Sequence, residues 1–316
     1  YKRINDWGSI TPGIQTIVNH DGTVSVLDVG RDLATAAIHV FSAEGIYLKT
    51  ITLARELPQV GAFASDSDGN YYVLYGQRVA EGAFSEKSIA LAKYSSSGSK
   101  LNVFYLEAQT DDEIWASGYT GIRNPFYAGN CKLEISGDKI SAYFGREMFK
   151  APDGLNHQAS YGFILDIDTL ARVTDVKMPS AGHSFNQFIL PIEGGFMYVD
   201  HGDVTPRGFG FSAVTEDGSE RVDSFVFKQG HKYQVTYAEL GGVAKTEDGY
   251  LFAGTYEKSA SADETYNDSR NVFVMTIDNG LSGVSAPLWI TDYTDKDTAN
   301  AIFPKIVQIG SDAYLL

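Results

Sequence analysis

Glycine-centred turns recur along this chain, each followed at once by a β-rich run, and this punctuation narrows the possible folds more than any other feature. The turns stand at Asn19-His20-Asp21-Gly22, Ser67-Asp68-Gly69-Asn70, Ser136-Gly137-Asp138, Glu193-Gly194-Gly195, Glu247-Asp248-Gly249 and Gly310-Ser311-Asp312. From Gly22 the steps to Gly69, Gly137, Gly195, Gly249 and Gly310 are 47, 68, 58, 54 and 61 residues. Those steps lie near or above the roughly 40 to 50 residues of a propeller blade, the excess implying long loops. All units but the last carry a second hairpin, with turns at Ser42-Ala43-Glu44-Gly45, Ser95-Ser96-Ser97-Gly98, Asp166-Ile167-Asp168-Thr169, Thr215-Glu216-Asp217-Gly218 and Asp278-Asn279-Gly280. Two hairpins make a four-stranded antiparallel sheet, and such sheets in series form a β-propeller.

The expected fold is therefore all-β: one propeller domain over 1–316 with about six four-stranded blades. The blades are expected at about 13–55, 60–108, 128–180, 183–230, 237–292 and 299–316. The last holds a single hairpin, so closure falls to residues 1–12, where Tyr1 to Ile10 offer a strand. A seven-bladed ring or an irregular pair of β-sandwiches is the alternative. No long amphipathic helical pattern supports an α/β arrangement.

Composition removes several classes of function. Formal net charge is 25 − 40 = −15, with no basic patch beyond Lys2-Arg3, so no nucleic-acid partner is expected. No run reaches the roughly 18 apolar residues of a membrane span. Cys131 is the single cysteine, which excludes an intrachain disulfide and a thiolate metal cluster. The chain begins at Tyr1 rather than Met and ends in the apolar run Ala313 to Leu316, as a mature form or a segment of a longer protein would.

The two ends of each expected sheet differ in chemistry. Hairpin turns place Asp, Ser, Gly and Asn at one end, which is ordinary turn chemistry. After the second strands, at the other end, come Gly30-Arg31-Asp32, Gly76-Gln77-Arg78, Gly145-Arg146-Glu147, His201-Gly202-Asp203 and Tyr256-Glu257-Lys258. Arg123-Asn124-Pro125-Phe126, Asn156-His157-Gln158 and Gly182-His183-Ser184-Phe185-Asn186-Gln187 join them there. The candidate ligand-binding residues are His183, Asn186, His201, Asp203, Arg207, Arg146 and His157, with Phe185 and Tyr127 as stacking surface. The competing reading is that these side chains satisfy buried backbone groups.

Catalytic and cofactor motifs are missing. His183, His201 and Asp203 are suitable metal ligands by type but lack compact ligand spacing, so no metal is expected. There is no GxSxG elbow and no glycine-rich phosphate loop, and no cofactor is expected. Glu147, Asp203 and Glu257 share one expected end and are the candidate acid and base of a glycan-active enzyme, the alternative to binding.

The segments DGTVSVLDVG and SDSDGNYYVLYG, followed by FSAEGIYLKTI and YSSSGSKLNVF, resemble propeller repeats of the NHL-like and bacterial surface-protein type. That resemblance implies an extracellular or cell-surface module, most often a binding domain or scaffold and in some members a lyase or hydrolase. The resulting expectation is a non-enzymatic binding domain for carbohydrate or protein, with a structural spacer as a further alternative.

Overall fold

A computed structural model describes residues 14–30, 34–109, 121–127, 130–176, 184–202, 208–215, 218–226, 239–258, 269–295, 299–302, 304–308 and 314–315. The chain is all-β and of the β-propeller class. It divides into two compact units, Trp7–Lys177 and one built on Met178–Leu316.

In the first unit, β1 (Ile14–Val18), β2 (Val24–Asp28), β3 (Thr35–Phe41) and β4 (Tyr47–Ala54) pair in chain order. The second sheet repeats this with β5 (Gln59–Ser65), β6 (Tyr71–Gly76), β7 (Lys87–Tyr94) and β8 (Lys100–Glu107). In the third, β10 (Cys131–Ser136), β11 (Lys139–Lys150), β12 (Asn156–Asp166) and β13 (Arg172–Val176) do the same, while the two-residue β9 (Asn124–Pro125) pairs with the far end of β11. In the second unit, β14 (Ser184–Ile192), β15 (Gly195–Gly202), β16 (Gly208–Thr215) and β17 (Gly218–Val226) form one sheet. The next holds β18 (Glu239–Lys245), β19 (Gly249–Glu257), β20 (Arg270–Asp278) and β21 (Leu288–Trp289), and β22 (Val307–Gln308) pairs with β23 (Tyr314–Leu315).

Burial follows position in the sheet. The second and third strands β6 and β7 are buried on both faces almost throughout, whereas the outer β4 and β8 are largely exposed or half-buried. Continuous apolar runs such as Tyr71 to Tyr75 thus mark strands covered on both sides. The cores lie between sheets: one joins Leu27 and Ile38 to Val73 and Ala90, another joins Leu74 and Leu91 to Phe144 and Phe163, and a third joins Met197 and Phe211 to Phe252 and Met275. No sheet needs a private core when its neighbour supplies one, which is the economy of repeat folds.

Strand extent differs from the sequence expectation. Arg146, Glu147, His157, His201 and Glu257, expected in connections, are residues of β11, β12, β15 and β19. Their backbone groups are paired in register, for example Arg146 with Ala159 and His201 with Phe209. The closing segment 1–12 and the turns at 216–217 and 310–312 lie outside the described residues.

Candidate functional site

At the hairpin-turn end, side chains close turns. Asp21 Oδ1 accepts the Thr23 N–H and hydroxyl, at 3.0 and 2.6 Å. Asp66 accepts the N–H groups of Asp68 and Asn70, the Asn70 amide and the Tyr72 hydroxyl. Burial alone would raise the Asp66 carboxyl, but the bonds from Asn70 and Tyr72 outweigh it and hold the group below the ordinary carboxylate range. A cleft of about 480 Å³ opens at this end between the first two sheets, lined by His20, Asp21, Lys49, Asp68 and Tyr71 among others. Two of its lining residues join the sheets: Asn19 Oδ1 accepts from Ser65 at 2.8 Å, and the Tyr71 hydroxyl lies 3.0 Å from that of Ser25.

The opposite end of the same unit gathers charge. Arg123 pairs with Glu147 through Nη1 and with Glu81 through Nε, the latter at 3.1 Å. Glu81 also accepts the Lys150 N–H and the Asn156 amide, at 2.8 and 3.3 Å. Buried Arg146 donates to the Gly121 carbonyl at 3.2 Å, its guanidinium 4.7 Å over the Tyr161 ring. Half-exposed His157 meets Asp153 at 2.8 Å. Arg146 and Glu147 thus tie the 121–127 segment to β11, and His157 remains the more accessible of the expected residues here.

In the second unit the corresponding end is polar and deeply buried. Asn186 and His201 are opposite each other in the β14–β15 register. The Asn186 amide donates to the Leu240 carbonyl of the next sheet at 2.7 Å, so this side chain joins sheets. His201 is fully buried, its ring edge-on to Phe209 with centroids 5.3 Å apart. Beside them lie buried Gln187 and Asp200, and in the neighbouring sheet Glu239, Thr255, Glu257, Ser269 and Asn271. Arg270 Nη1 stands 3.6 Å from Glu239 Oε1, and Arg270 Nε donates to Asn300 Oδ1 at 3.2 Å. Arg146 and His157 belong to one unit, Asn186 and His201 to the other. His183, Asp203, Arg207 and the Phe185 side chain lie outside the described residues. Among the described residues no three His, Cys, Asp or Glu side chains converge as a metal would require.

Hydrogen-bond accounting separates the two ends again. Among the described residues, Arg55 Nη2, Gln59 Oε1, Thr255 Oγ1 and Ser269 Oγ are buried without a hydrogen-bond partner. Each lies at the end of its sheet away from the hairpin turns, while Ser212 Oγ is orphaned within β16. Sequence reading missed Glu81, Glu239, Thr255, Ser269 and Arg270. Glu239, Ser269 and Arg270 sit where first and third strands begin, so applying the end rule to strand starts would have found those three.

No family model and no curated protein matches the sequence. Among solved structures, one shares the fold at a TM-score above 0.5, and two others are similar at lower scores. Hydrazine synthase of Kuenenia stuttgartiensis is 13% identical, the match covering 93% of this chain and 70% of that one with a TM-score of 0.55. Cobalt-substituted Synechocystis ACO is 10% identical, over 91% and 63% of the two chains, with a TM-score of 0.49. The β-propeller domain of the Trilobed protease from Pyrococcus furiosus is 12% identical, over 83% and 66%, with a TM-score of 0.42. At 13% identity the likeness to hydrazine synthase is one of fold, and function has to be argued from the site.

Proposed function

We propose that this chain is a non-enzymatic binding module that takes a polar ligand at the sheet ends opposite its hairpin turns. The observation that carries this reading is that each unit has buried, partnerless polar atoms at that end of its own sheets: Arg55 Nη2 and Gln59 Oε1 in one, Thr255 Oγ1 and Ser269 Oγ in the other. A buried polar atom left without a partner costs about 1–3 kcal/mol, so its recurrence at the same end of the sheets in each unit asks for something that completes it. The ion pairs favour binding over acid–base chemistry. Glu147 is matched by Arg123 and Glu239 by Arg270, which commits these carboxylates to cations. The place of work in this reading is outside the cell or at its surface, which rests on the resemblance of the turn segments and is checked by fractionating the source cells.

The test is a glycan and peptide array followed by calorimetry. Binding is expected in the wild type and weaker by about tenfold in Arg207→Ala and His201→Gln, with circular dichroism unchanged. Lys49→Ala and Asp68→Ala, which line the cleft at the turn end, should bind as the wild type does. The opposite pattern, with loss only in the cleft variants, would move the site to the turns and overturn the proposal.

A further inference from the structure

We infer that the cleft at the hairpin-turn end of the first two sheets is a second binding site, one that takes a free basic amino acid. This goes beyond the binding reading above, because the site lies at the other end of the sheets and its ligand is of a different kind. The cleft offers room, about 480 Å³, which is within the range of small-molecule pockets. All of its lining residues belong to the unit Trp7–Lys177.

Two turns and a bulge shape the cleft. The turn between β1 and β2 carries His20 and Asp21 at its exposed tip, and the turn before β6 brings exposed Ser67 and Asp68 from the second sheet. Across β3 and β4, Val40 is opposite Lys49 and Phe41 is opposite Tyr47, so Leu48 is the extra residue of a β-bulge. A bulge interrupts the alternation of faces along a strand and re-aims its side chains. Leu48 and Lys49, although successive, therefore both line the cleft. Lys49 Nζ then reaches from the first sheet to the Ser96 carbonyl of the second, at 3.3 Å.

What the fold leaves unused in this lining selects the ligand. Asn19 and Asp66 are occupied by bonds to the turns and strands around them. The Lys49 ammonium has three donors and gives one to Ser96. Asp21 receives Thr23 through Oδ1, which leaves Oδ2 to the cleft. Among the described residues the Asp68 carboxylate has no hydrogen-bond partner. Bonds from Thr23 hold the Asp21 carboxyl below its ordinary range and the Lys49 charge adds to them, so ammonium and carboxylate share one field. One ammonium against the carboxylates of Asp21, Asp66 and Asp68 gives the lining a net charge of −2. A dicarboxylate is repelled by that charge, and a plain diamine meets Lys49 with a like charge. A basic amino acid answers each free group: two cationic groups for Asp21 and Asp68, a carboxylate for Lys49 and an aliphatic stem for Val40 and Leu48. The net charge of −15 on the whole chain draws such a cation in.

The test titrates the full chain with L-lysine, L-glutamate and cadaverine, read by calorimetry and by NMR of the ligand, with circular dichroism to confirm the fold of each variant. L-Lysine should bind, L-glutamate should not, and cadaverine, which lacks the carboxylate, should bind about tenfold more weakly than L-lysine. Asp68→Asn should weaken L-lysine about tenfold. Lys49→Met should weaken L-lysine by a similar factor yet tighten cadaverine about threefold, because the like charge is gone. A lysine that only braced the two sheets would weaken both ligands together. Glu86→Gln, at an exposed carboxylate outside the cleft, should bind as the wild type does. If L-lysine does not bind the folded wild type, or binds Asp68→Asn and Lys49→Met equally well, the cleft is not its site and the inference falls. L-Glutamate binding as tightly as L-lysine overturns the choice of ligand. Saturating L-lysine should leave the affinity of a ligand found on the array unchanged, so either site can fail without the other. Competition between the two ligands would put them at one site and overturn the claim of a second.

Discussion

Glu134 faces away from the core that its neighbours build. Alternation along β10 sends Cys131, Leu133 and Ile135 into the cluster with Phe144 and Phe163, leaving Lys132 and Glu134 on the other face. That face is not an open surface, because the cross-strand partners of Lys132 and Glu134 are Tyr143 and Ser141, both fully buried. Burial pushes the Glu134 carboxyl up to about 7 and the Lys132 amine down. The sign for stability follows. In the unfolded chain the carboxyl loses its proton near its ordinary 4.5, whereas the folded chain keeps it until about 7. Between those values the unfolded state binds fewer protons, so this group lowers stability as pH rises from about 4.5 to about 7 and adds no further change above. Glu134→Gln is expected to be more stable than wild type by about 1–3 kcal/mol at pH 8 and nearly equal at pH 4. Urea titrations at the two pH values check this, and an equal difference at both would refute it.

A ring and two glycines set the fit of neighbouring elements in the first unit. Phe126, just after β9, has a positive φ of 61° and is 2% exposed. A Cβ added to Gly61 on β5 would stand 2.5 Å from its Cζ, and one added to Gly76 on β6 would stand 2.7 Å from its Cε2. The ring therefore lies directly on β5 and β6 while meeting Phe144 edge-on at 5.6 Å, which joins the second and third sheets. Phe126→Ala should cost about 3–5 kcal/mol through the cavity it leaves, and Gly61→Ala about 1–3 kcal/mol through overpacking. Because the Phe126 ring is the nearest obstacle at Gly61, with Cys131 Sγ a second at 2.8 Å, the double variant should be less destabilised than the sum of the singles, as a double-mutant cycle in denaturant measures. Strict additivity would separate the two sites. This segment also marks where sequence reading stopped. The Gly-Asp and Gly-Asn turns were legible because their backbone geometry requires those residues, and the apolar runs beside them fixed the strands. Arg146, Glu147, His201 and Glu257 read as connections because polarity interrupts the apolar pattern, yet β11, β15 and β19 continue through them. What extends these strands is long-range pairing, such as Arg146 with Pro125 and Glu257 with Arg270, which carries no local signal. The polar end was visible as a composition; which of its side chains join sheets, as Asn186 does, depended on neighbours distant in sequence.

Among the described residues each apolar cluster draws on two successive sheets, and in a fold of this kind stability is close to a sum of sheet and neighbour terms. Whether such a sum unfolds in one step depends on how strongly its weakest seam is coupled to the rest. The unit Trp7–Lys177 and the one built on Met178–Leu316 are the candidates for separate unfolding. The expectation of one domain across 316 residues predicts a single transition in urea, with a midpoint common to far-ultraviolet circular dichroism, tryptophan fluorescence and the reactivity of Cys131. Circular dichroism reports on the whole chain, and the other two probes report on different regions. Cys131 is buried in the first unit, with its thiol pushed well above its ordinary range, so it reacts only when that unit opens. Trp289 lies on β21 of the second unit, and Trp7→Phe and Trp115→Phe would leave it as the single fluorophore of its kind. Coincident curves in that variant mean that the two units unfold together. Thiol exposure at a lower urea concentration than the Trp289 transition would instead identify Trp7–Lys177 as a separately unfolding domain.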